Sequence, residues 1–416
     1  MSQPLRILQI VPSISLVYGG PSQMVLGLSS ALASQGVKVT ILTTDSNGDA
    51  GQLPLDVPLD KPVEQDGYQV RYFHCSPFRR YKFSLDLLRW LSRYASEFDL
   101  AHIHALFSPV STAAATVARY RKLPYILRPL GTLDPADLRK KRQLKQIYAA
   151  LLERPNLAGA AGIHFTSIQE AKISERFGTH TLDLVIPLGV HPPQPPTINV
   201  PPYIPSLVRG EKEGVIPFTG QVRTELNIPD NQPLVLFMSR IDPKKGLNLL
   251  IPSLERLVAD GLKFHFVLAG TNPQDPDYEK QIQQQLKTSP LSSRTTITGF
   301  VTGELKAALL QEADLFVLPS YYENFGIAVA EAMVAETPVV ISDQVHIWEE
   351  VKGAEAGWVC PCEVDALTEC LREALQDVGE QKRRGANAQK YALSNYSWDA
   401  IALAMIQAYQ QILSVM

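Results

Sequence analysis

The sequence predicts an α/β protein with two doubly wound domains. Strand-like and helix-like segments alternate along the 416-residue chain, and the strand-like segments are nearly continuous apolar runs, as in parallel sheets covered on both faces. A proline-rich stretch near residue 200 interrupts this alternation, which then starts again. The chain is also long for a single hydrophobic core. These observations predict two similar domains joined by a linker.

The predicted first domain covers residues 1–190. Its first helix runs from Pro21 to about Gln35, with a proline in the first turn and Gly36 just past the end. The strand segments of this domain are 5–11, 37–43, 68–74, 100–106, 124–128, 161–167 and 182–188. The proline-rich segment 191–217 is the predicted linker.

The predicted second domain covers residues 218–397. Its strand segments are 233–240, 264–270, 295–300, 315–320 and 337–342. The last segment, about 398–416, is predicted to form a terminal helix, because Ser397 can cap it and apolar residues follow on one face. Open parallel sheets bind ligands at the carboxyl ends of their strands, so we expect the functional residues there, in the cleft between the domains.

The charge balance argues against nucleic acid as a partner. The chain has 39 Lys plus Arg against 42 Asp plus Glu, a net charge of −3. No apolar run approaches the roughly 18 residues of a membrane span. The start "MSQPLRILQIVPS" resembles a first strand more than a signal peptide, so we expect a cytoplasmic protein.

Two short motifs are similar to metal-binding motifs, but their spacing or their position argues against a metal site. "CPC" at 360–362 has one residue between its thiols, where metal and redox motifs have two. We therefore expect these cysteines to act as small, buried hydrophobic residues. "DPD" at 275–277 is expected to lie in a surface loop. We therefore expect no metal ligands.

Basic side chains follow strand segment 233–240 in "RIDPKKG". Arg240, Lys244 and Lys245 lie in a predicted tight turn, and Gly246 opens a helix. Guanidinium, ammonium and helix-start amide groups together suit phosphate oxygens. A solvated basic turn is the alternative.

Two carboxylates flank the helix that follows strand segment 315–320, in "YYENFGIAVAEAM". Glu323 precedes the helix start at Gly326, and Glu331 is the only polar residue in the stretch 327–335. Such an apolar helix is normally buried, and a buried carboxylate needs a partner. The vicinal hydroxyls of a sugar or ribose are suitable partners. The alternatives are an ion pair of Glu331 with an arginine or lysine, and a helix-start role for Glu323.

The first domain gives weaker signals. Gly19 and Gly20 precede a helix and permit close approach of the backbone to an anion. His102 and His104 lie on the same face of strand segment 100–106. A core role and a catalytic role are both open for them, and we carry His104 as the catalytic candidate.

The blocks "SRIDPKKG", "ITGFV", "ADLFVLPSYYENFGIAVAEAM" and "TPVVISDQ", in this order, resemble the retaining glycosyltransferases of family 4, group 1 enzymes with the E-x7-E motif. The resemblance covers nearly the whole chain and is most specific over residues 234–352. It implies the GT-B fold, in which two Rossmann-like domains face a central cleft and the terminal helix crosses back onto the first, acceptor-side domain.

The resemblance also implies roles for the matching residues. Arg240 and Lys245 would bind the nucleotide diphosphate, Glu323 the donor sugar and Glu331 the ribose hydroxyls. The implied donor-binding residues are Gly19, Gly20, Arg240, Lys245, Phe300, Val301, Glu323, Asn324, Phe325, Gly326, Ile327 and Glu331. The catalytic candidates are Glu323, Arg240, Lys245 and His104. No metal and no other cofactor would be required, because two basic side chains can neutralise the leaving diphosphate.

Three positions depart from the family pattern. Leu130 stands where many relatives have histidine or arginine, so that role would fall to Arg128, to His104 or to no residue. Leu188 replaces the asparagine of the usual Asn-Gly pair. Glu336 replaces the usual glycine after the donor-site helix, so we expect a C-cap other than the Schellman type.

We therefore expect an enzyme that moves a hexose, glucose as first choice, from a nucleotide diphosphate, UDP as first choice. The expected acceptor is a saccharide or lipid-linked saccharide in polysaccharide biosynthesis. The resemblance implies a front-face mechanism, and a double displacement with Glu323 as nucleophile is its rival. The alternative functions are a nucleotide-sugar epimerase of the same fold and a non-catalytic protein that binds sugar nucleotides.

Three basic runs fall in the first domain: "RRYK" (79–82), "RYRK" (119–122) and "RKKRQLK" (139–145). A solvated basic face is the default interpretation. The alternative is an electrostatic dock that holds the enzyme peripherally on the inner face of an anionic membrane, near a lipid-linked acceptor.

Overall fold

The structure is a computed structural model that describes residues 3–18, 20–48, 53–75, 81–138, 146–192 and 222–415. The chain divides into two compact units, Met1–Gly189 with Trp398–Met416, and Val190–Ser397. Nearly all of the predicted linker 191–217 lies outside the described residues. No helix in the described ranges combines the length and the apolar composition that crossing a membrane requires.

The described part of the first unit contains an eight-stranded sheet with the order β3-β4-β2-β1-β5-β6-β7-β8. Its strands are β1 (Arg6–Ile10), β2 (Lys38–Thr44), β3 (Pro62–Gln65), β4 (Tyr68–Phe73), β5 (Leu100–His104), β6 (Tyr125–Arg128), β7 (Gly162–Phe165) and β8 (Asp183–Val185). Only the edge pair β3–β4 is antiparallel. The seven predicted strands are confirmed, and β3 is an addition to them.

Helices cover both faces of this sheet. They are α1 (Gly20–Ser34), α2 (Leu85–Tyr94), α3 (Pro109–Tyr120), α4 (Pro135–Leu138), α5 (Arg154–Gly159), α6 (Ile168–Ile173) and, from the end of the chain, α15 (Trp398–Val415). The π-helical turn Ala149–Glu153 leads into α5. Neighbouring residues of β1 point to opposite faces of the sheet and pack in different apolar cores. Ile7 packs in the core that contains α1 and α15, and Leu8 packs in the core that contains α2 and α3. This alternation is what a doubly wound sheet requires.

Helix α15 packs against α1 within the first unit. The indole of Trp398 lies against two glycines: a Cβ at Gly27 would lie 2.3 Å from the ring, and a Cβ at Gly189 would lie 2.2 Å from it. No residue with a side chain fits at either position without moving the indole. Trp398 therefore anchors the first turn of the terminal helix.

The described part of the second unit contains a six-stranded parallel sheet with the order β11-β10-β9-β12-β13-β14. Its strands are β9 (Leu234–Met238), β10 (His265–Ala269), β11 (Thr295–Gly299), β12 (Leu315–Leu318), β13 (Val339–Ser342) and β14 (Gly357–Cys360). Its helices are α7 (Val222–Glu225), α8 (Leu247–Ala259), α9 (Pro276–Thr288), α10 (Gly303–Glu312), α11 (Ile327–Val334), α12 (Trp348–Gly353), α13 (Val364–Gln376) and α14 (Val378–Asn395). The five predicted strands are confirmed, and β14 is an addition.

The strand orders locate the topological switch point of each sheet. In the second sheet it lies between β9 and β12, because β10 and β11 continue on one side and β13 and β14 on the other. In the first sheet it lies between β1 and β5. Doubly wound sheets bind ligands outside the carboxyl ends of their strands at such a point. The segments after these four strands are therefore where a site is expected.

The prediction for the end of α11 is wrong. Glu336 adopts the left-handed conformation (φ 68°), and the helix ends in a Schellman motif. The Thr337 N–H donates to the Ala332 carbonyl at 3.0 Å, and the Glu336 N–H donates to the Met333 carbonyl at 3.1 Å. Helix α14 packs closely on this end, because the Glu336 carbonyl lies 2.3 Å from where a Cβ of Gly385 would be, so no side chain fits at that position.

The two suspected metal motifs have structural roles. Asp275 of "DPD" is the N-cap of α9 and accepts the Tyr278 N–H at 3.1 Å, so the expected surface loop is instead a helix start. Cys360 is buried and Cys362 half-buried, and both are free thiols. Within the described ranges, no three His, Cys, Asp or Glu side chains converge on a point that could hold a metal ion.

Candidate active site

The segment after β9 forms a tight basic turn. Asp242 caps the 3-10 turn Pro243–Lys245, and its carboxylate accepts the Lys244 N–H at 3.0 Å. Gly246 then adopts the left-handed conformation (φ 74°), and a Cβ there would lie 2.0 Å from the Pro319 carbonyl oxygen. Gly246 is therefore what lets this turn lie against the segment that follows β12.

Main-chain hydrogen bonds fix the segment after β12 on both sides. The Tyr321 N–H donates to the Lys244 carbonyl at 2.8 Å, which ties this segment to the basic turn. The Glu323 N–H donates to the Gln344 carbonyl at 3.1 Å, and the Glu323 carbonyl accepts the His346 N–H at 3.0 Å. The Glu323 side chain therefore projects from a well-fixed backbone.

Helices α8 and α11 begin at Gly246 and Gly326, after neighbouring strands, and neither start has a side-chain cap among the described residues. The first N–H groups of a helix lack intrahelical acceptors and carry the positive end of the helix dipole. Gly326 (φ 80°) has a conformation that suits glycine. The two helix starts give the carboxyl edge of the sheet the character of an anion-binding site.

Lys245 and Glu323 form an ion pair at this edge, with Nζ in contact with Oε2. Their side chains are only 15% and 21% exposed, so solvent screens the pair weakly. The residue predicted to bind diphosphate and the residue predicted to bind the sugar are thus each other's partners in this structure. An anion that binds Lys245 therefore competes with Glu323 for its ammonium group.

Glu331 is also paired. Its Oε1 lies 2.6 Å from Nζ of Lys306 on α10, and the two side chains are 20% and 32% exposed. Glu331 is half-buried and has a protein partner, as the ion-pair alternative expects, and its role toward ribose hydroxyls stays a prediction. The physical reason for the pairing is that this side of α11 meets the polar start of α10 instead of the apolar core. A carboxylate bonded through one oxygen still has acceptor capacity at the other.

Lys306 is the site residue that sequence reasoning missed. It lies in the first turn of α10, directly after the end of β11, so its position at a strand end was a usable signal. Its partner Glu331 is 25 residues further on, and no sequence pattern links the two. The pair also acts on His191: burial lowers the pKa of this histidine, Glu331 opposes the shift and Lys306 adds to it.

Arg240 and the segment after β11 remain accessible. The Arg240 side chain is 48% exposed, donates to Gln274 Oε1 at 3.2 Å and has its Nε 3.7 Å from Asp242 Oδ2. Such exposed contacts are weak, so the guanidinium can turn towards a bound anion. Phe300 is 64% exposed, whereas the neighbouring Val301 is buried. An exposed phenylalanine ring next to this edge can stack on a planar base.

The remaining predicted donor residues are placed around the start of α11. Phe325 is buried, with its ring centroid 5.2 Å from that of Tyr396, so only its main chain can face a ligand. Asn324 and Ile327 are half-buried. These residues supply main-chain N–H groups at the helix start.

The predicted site residues that the structure describes in the first unit are less exposed to solvent than Arg240 of the second unit. Gly19 lies outside the described residues, and Gly20 is the half-buried first residue of α1. His104 is fully buried, and its Nε2 lies 2.7 Å from Gln9 Oε1. Burial favours the core role for His104, and its catalytic role stays a prediction.

His104 belongs to a buried polar cluster. His102 Nδ1 lies 3.0 Å from the Tyr409 hydroxyl of α15, and His102 Nε2 lies 3.3 Å from His164 Nδ1. Burial lowers the pKa values of His102 and His104 well below the usual range and that of His164 to about 3. All three imidazoles are therefore neutral at physiological pH.

Leu130, one of the three positions that depart from the family pattern, has a strained backbone. Leu130 has φ 56°, a costly conformation for a residue with a side chain. Arg128, offered as a substitute cation, is buried, and burial lowers its pKa to about 10 while Glu170 opposes the shift. Its Nε has no hydrogen-bond partner within the described ranges. Neither Arg128 nor His104 is accessible in this structure.

The basic runs are described only in part. The run 139–145 and residues 79–80 lie outside the described residues. The run 119–122 ends α3, where Tyr120 is 80% exposed and the Arg121 guanidinium donates to Ser92 Oγ at 2.7 and 2.9 Å.

The two doubly wound units, each with its own mainly parallel sheet, have the GT-B fold. Residues 219–391 match the family described as glycosyl transferases group 1, and residues 19–189 match the glycosyl transferase 4-like domain. The chain belongs to the group 1 glycosyl transferases.

Individual relatives are distant. The alpha-D-kanosaminyltransferase of Streptomyces kanamyceticus is 30% identical over 184 residues, 44% of this chain and 47% of that protein. The chain spans about half the length of such curated relatives. The D-inositol 3-phosphate glycosyltransferase of Xylanimonas cellulosilytica is 25% identical over 94% of this chain and 92% of its own. The crystal structure of HepE from Anabaena has a TM-score of 0.69 at 20% identity and covers 98% of this chain and 100% of its own.

Proposed function

We propose that this glycosyltransferase moves a hexose, glucose by preference, from UDP to a saccharide or lipid-linked saccharide in polysaccharide biosynthesis, with retention of the anomeric configuration. The observation that carries the proposal is the convergence of Arg240, Lys245 and two uncapped helix starts beside Glu323 and Glu331. The choice of donor is supported by HepE, whose solved structures contain UDP with glucose, and UDP-glucose.

Each group has one task in this proposal. Arg240, Lys245 and the amides at the start of α11 stabilise the negative charge on the departing diphosphate, which is the largest electrostatic demand of the reaction. Glu331 accepts the ribose hydroxyls, and Lys306 holds its carboxylate in place. Phe300 packs against the base. Arg240 and Lys245 supply the positive charge that a divalent metal supplies in other transferases, so the proposed reaction proceeds without a metal.

Glu323 changes partner when the donor binds. The diphosphate takes Lys245, and the released carboxylate turns to the hydroxyls of the donor hexose. A front-face reaction then follows, in which the leaving phosphate accepts the proton of the acceptor hydroxyl. A double displacement through Glu323 would instead leave a glycosylated carboxylate, which a fluorinated donor can trap.

The acceptor binds to the first unit in this proposal. The reaction takes place in the cytoplasm, and the run at 119–122 contributes to a peripheral contact with the inner face of the membrane. If the amount of protein that sediments with liposomes does not change with their content of anionic lipid, the proposed membrane contact is refuted and the rest of the proposal stands.

The proposed function is tested by a thermal-shift screen of nucleotides and sugar nucleotides, followed by mass spectrometry of the donor. UDP and UDP-glucose should raise the melting temperature, because a ligand of the native state stabilises it by mass action. Slow hydrolysis of UDP-glucose without an acceptor is expected for a transferase. An epimerised donor would indicate an epimerase, and an intact donor that still binds would indicate a sensor.

A further inference from the structure

The loop after β5 is strained at the switch point of the first sheet. In residues 105–108, Ala105 (φ 64°) and Phe107 (φ 61°) both adopt the left-handed conformation. For a residue with a side chain this costs roughly 1–2 kcal/mol. Strain of this kind persists only where the surrounding structure enforces it, and it concentrates at binding and catalytic sites.

A buried carboxylate enforces this conformation. Glu153 is 1% exposed, and its Oε1 accepts both the Phe107 N–H and the Thr112 hydroxyl at 2.7 Å. The Tyr148 hydroxyl donates in turn to Thr112 Oγ1 at 2.8 Å. Glu153 therefore joins the loop after β5, helix α3 and its own helix.

No lysine, arginine or histidine of the described ranges forms an ion pair with Glu153, and burial raises its pKa. A buried carboxylate without a cation costs stability, so its contribution lies in the loop that it fixes. Glu153 is also the last residue of the π-helical turn Ala149–Glu153. Such turns are frequent at functional sites.

The fixed loop presents an aromatic surface. The Phe107 ring centroid lies 5.8 Å from that of Tyr148 and 6.4 Å from that of Phe177, and all three side chains are half-buried. Phe177 is itself left-handed (φ 52°). Phe107 follows the carboxyl end of β5 at the switch point, where a doubly wound sheet binds ligands. One face of a pyranose ring carries C–H groups that pack against an aromatic ring.

We propose that Phe107 contacts the sugar ring of the acceptor, a neutral pyranoside, and that Glu153 is the positioning residue that holds Phe107 in place. The inference rests on the proposed glycosyl transfer and adds the acceptor site to it. Water needs no aromatic contact to attack the donor, whereas a pyranoside acceptor does. Transfer to sugar and hydrolysis of the donor therefore report on different parts of the molecule.

The test compares UDP-glucose consumption in water with consumption in the presence of methyl α-D-glucopyranoside or maltose. Phe107→Ala should raise the KM for these probe acceptors about tenfold, as expected for the loss of one aromatic contact, and leave hydrolysis and UDP affinity within about twofold. Leu403→Ala removes an exposed apolar side chain (51%) from α15, away from this aromatic cluster, and should leave every parameter unchanged.

Variants of Glu153 test the positioning role. Glu153→Ala should raise the probe KM as much as Phe107→Ala does, and should add nothing in the Phe107→Ala background. Glu153→Gln retains an oxygen that accepts the Phe107 N–H, so it should recover most of the lost affinity. A Glu153 variant that fails to fold does not affect the conclusion from Phe107→Ala, because that substitution keeps the main-chain N–H that binds Glu153.

Two results would overturn the inference while the proposed function stands. One is a probe KM unchanged in Phe107→Ala. The other is a wild type that hydrolyses UDP-glucose but shows no saturable transfer to either pyranoside. A wild type that neither binds UDP nor consumes UDP-glucose would overturn the proposed function, and the inference with it.

Discussion

Replacing Glu323 by glutamine should tighten the binding of UDP while it slows the transfer of sugar. In this structure the Glu323 carboxylate is paired with Lys245, which is the proposed diphosphate ligand. UDP lacks the donor hexose that Glu323 would bind, so with UDP alone the carboxylate only competes for Lys245. Glutamine has nearly the same shape and no charge, and therefore releases Lys245.

The magnitude follows from the exposure of the pair. Exposed ion pairs contribute about 0.2–1 kcal/mol, and breaking buried pairs costs about 3–5 kcal/mol. With side chains 15% and 21% exposed, the pair lies between these limits. A cost of about 1–2 kcal/mol for opening it corresponds to about 5- to 30-fold tighter binding of UDP to the variant.

Isothermal titration of UDP into four proteins measures this effect: wild type, Glu323→Gln, Lys245→Ala and the double variant. In the Lys245→Ala background the substitution of Glu323 should change the UDP affinity less than about twofold, because the competing pair no longer exists. Glu331→Gln is the matched control. It also removes one carboxylate of the site, but this carboxylate accepts the ribose hydroxyls, so UDP should bind more weakly.

An unchanged affinity of Glu323→Gln for UDP would refute the reasoning, and so would a gain that persists without Lys245. Turnover separates the two roles of Glu323. Loss of the carboxylate should lower kcat for UDP-glucose, because the sugar has to be held where positive charge develops in the transition state.

Three further predictions follow from the described contacts. Arg240→Ala should raise the barrier to transfer by about 2–4 kcal/mol through loss of one contact to the leaving group; turnover near that of the wild type would place the phosphates elsewhere. Lys306→Met should raise the KM for UDP-glucose several-fold with little effect on kcat, because Lys306 acts only through Glu331 in binding; a drop confined to kcat would contradict this. The three buried histidines of the first unit have lowered pKa values when folded, so they take up protons on unfolding below their usual pKa. Stability is therefore complete above about pH 6.5 and falls below it, by about 4 kcal/mol between pH 7.5 and pH 5.5. Urea titrations should show this loss, and His164→Gln should remove about a third of it; an unchanged pH dependence in the variant would argue against burial as the cause.

The strands were predictable because parallel, doubly covered strands are nearly continuous apolar runs. The two strands that the sequence pattern missed, β3 and β14, are short edge strands. Residues 62–65 of β3 are half-buried or exposed, so they lack the apolar run on which the prediction depends. In β14, the first position must be glycine, because a Cβ at Gly357 would lie 2.0 Å from the Val339 carbonyl oxygen. Glycine weakens a strand prediction even where close packing requires it.

The sequence predicts where the residues of the candidate site lie, but it does not predict which side chains form ion pairs there. Strand ends identify where Arg240, Glu323 and Glu331 lie, since carboxyl ends of parallel strands share one edge. The partner of each carboxylate depends on which helix start packs beside it, and that is a tertiary property. Glu331 meets Lys306 from 25 residues earlier, and Glu323 meets Lys245 from 78 residues earlier.

The same tertiary pairing explains how two carboxylates persist in a site built for anions. An edge with two helix starts and the cations Arg240 and Lys245 attracts negative charge whether or not a ligand is bound. In this structure Glu323 supplies that charge to Lys245. The proposed donor brings its own negative charge, and its diphosphate releases Glu323 at the moment when the hexose arrives with hydroxyls for it. Lys306 lies on α10, on the other side of Glu331, so the second carboxylate keeps its partner throughout. In the proposed reaction the two glutamates therefore differ in kind: Glu323 exchanges its partner and acts on the hexose, whereas Glu331 keeps Lys306 and acts in binding.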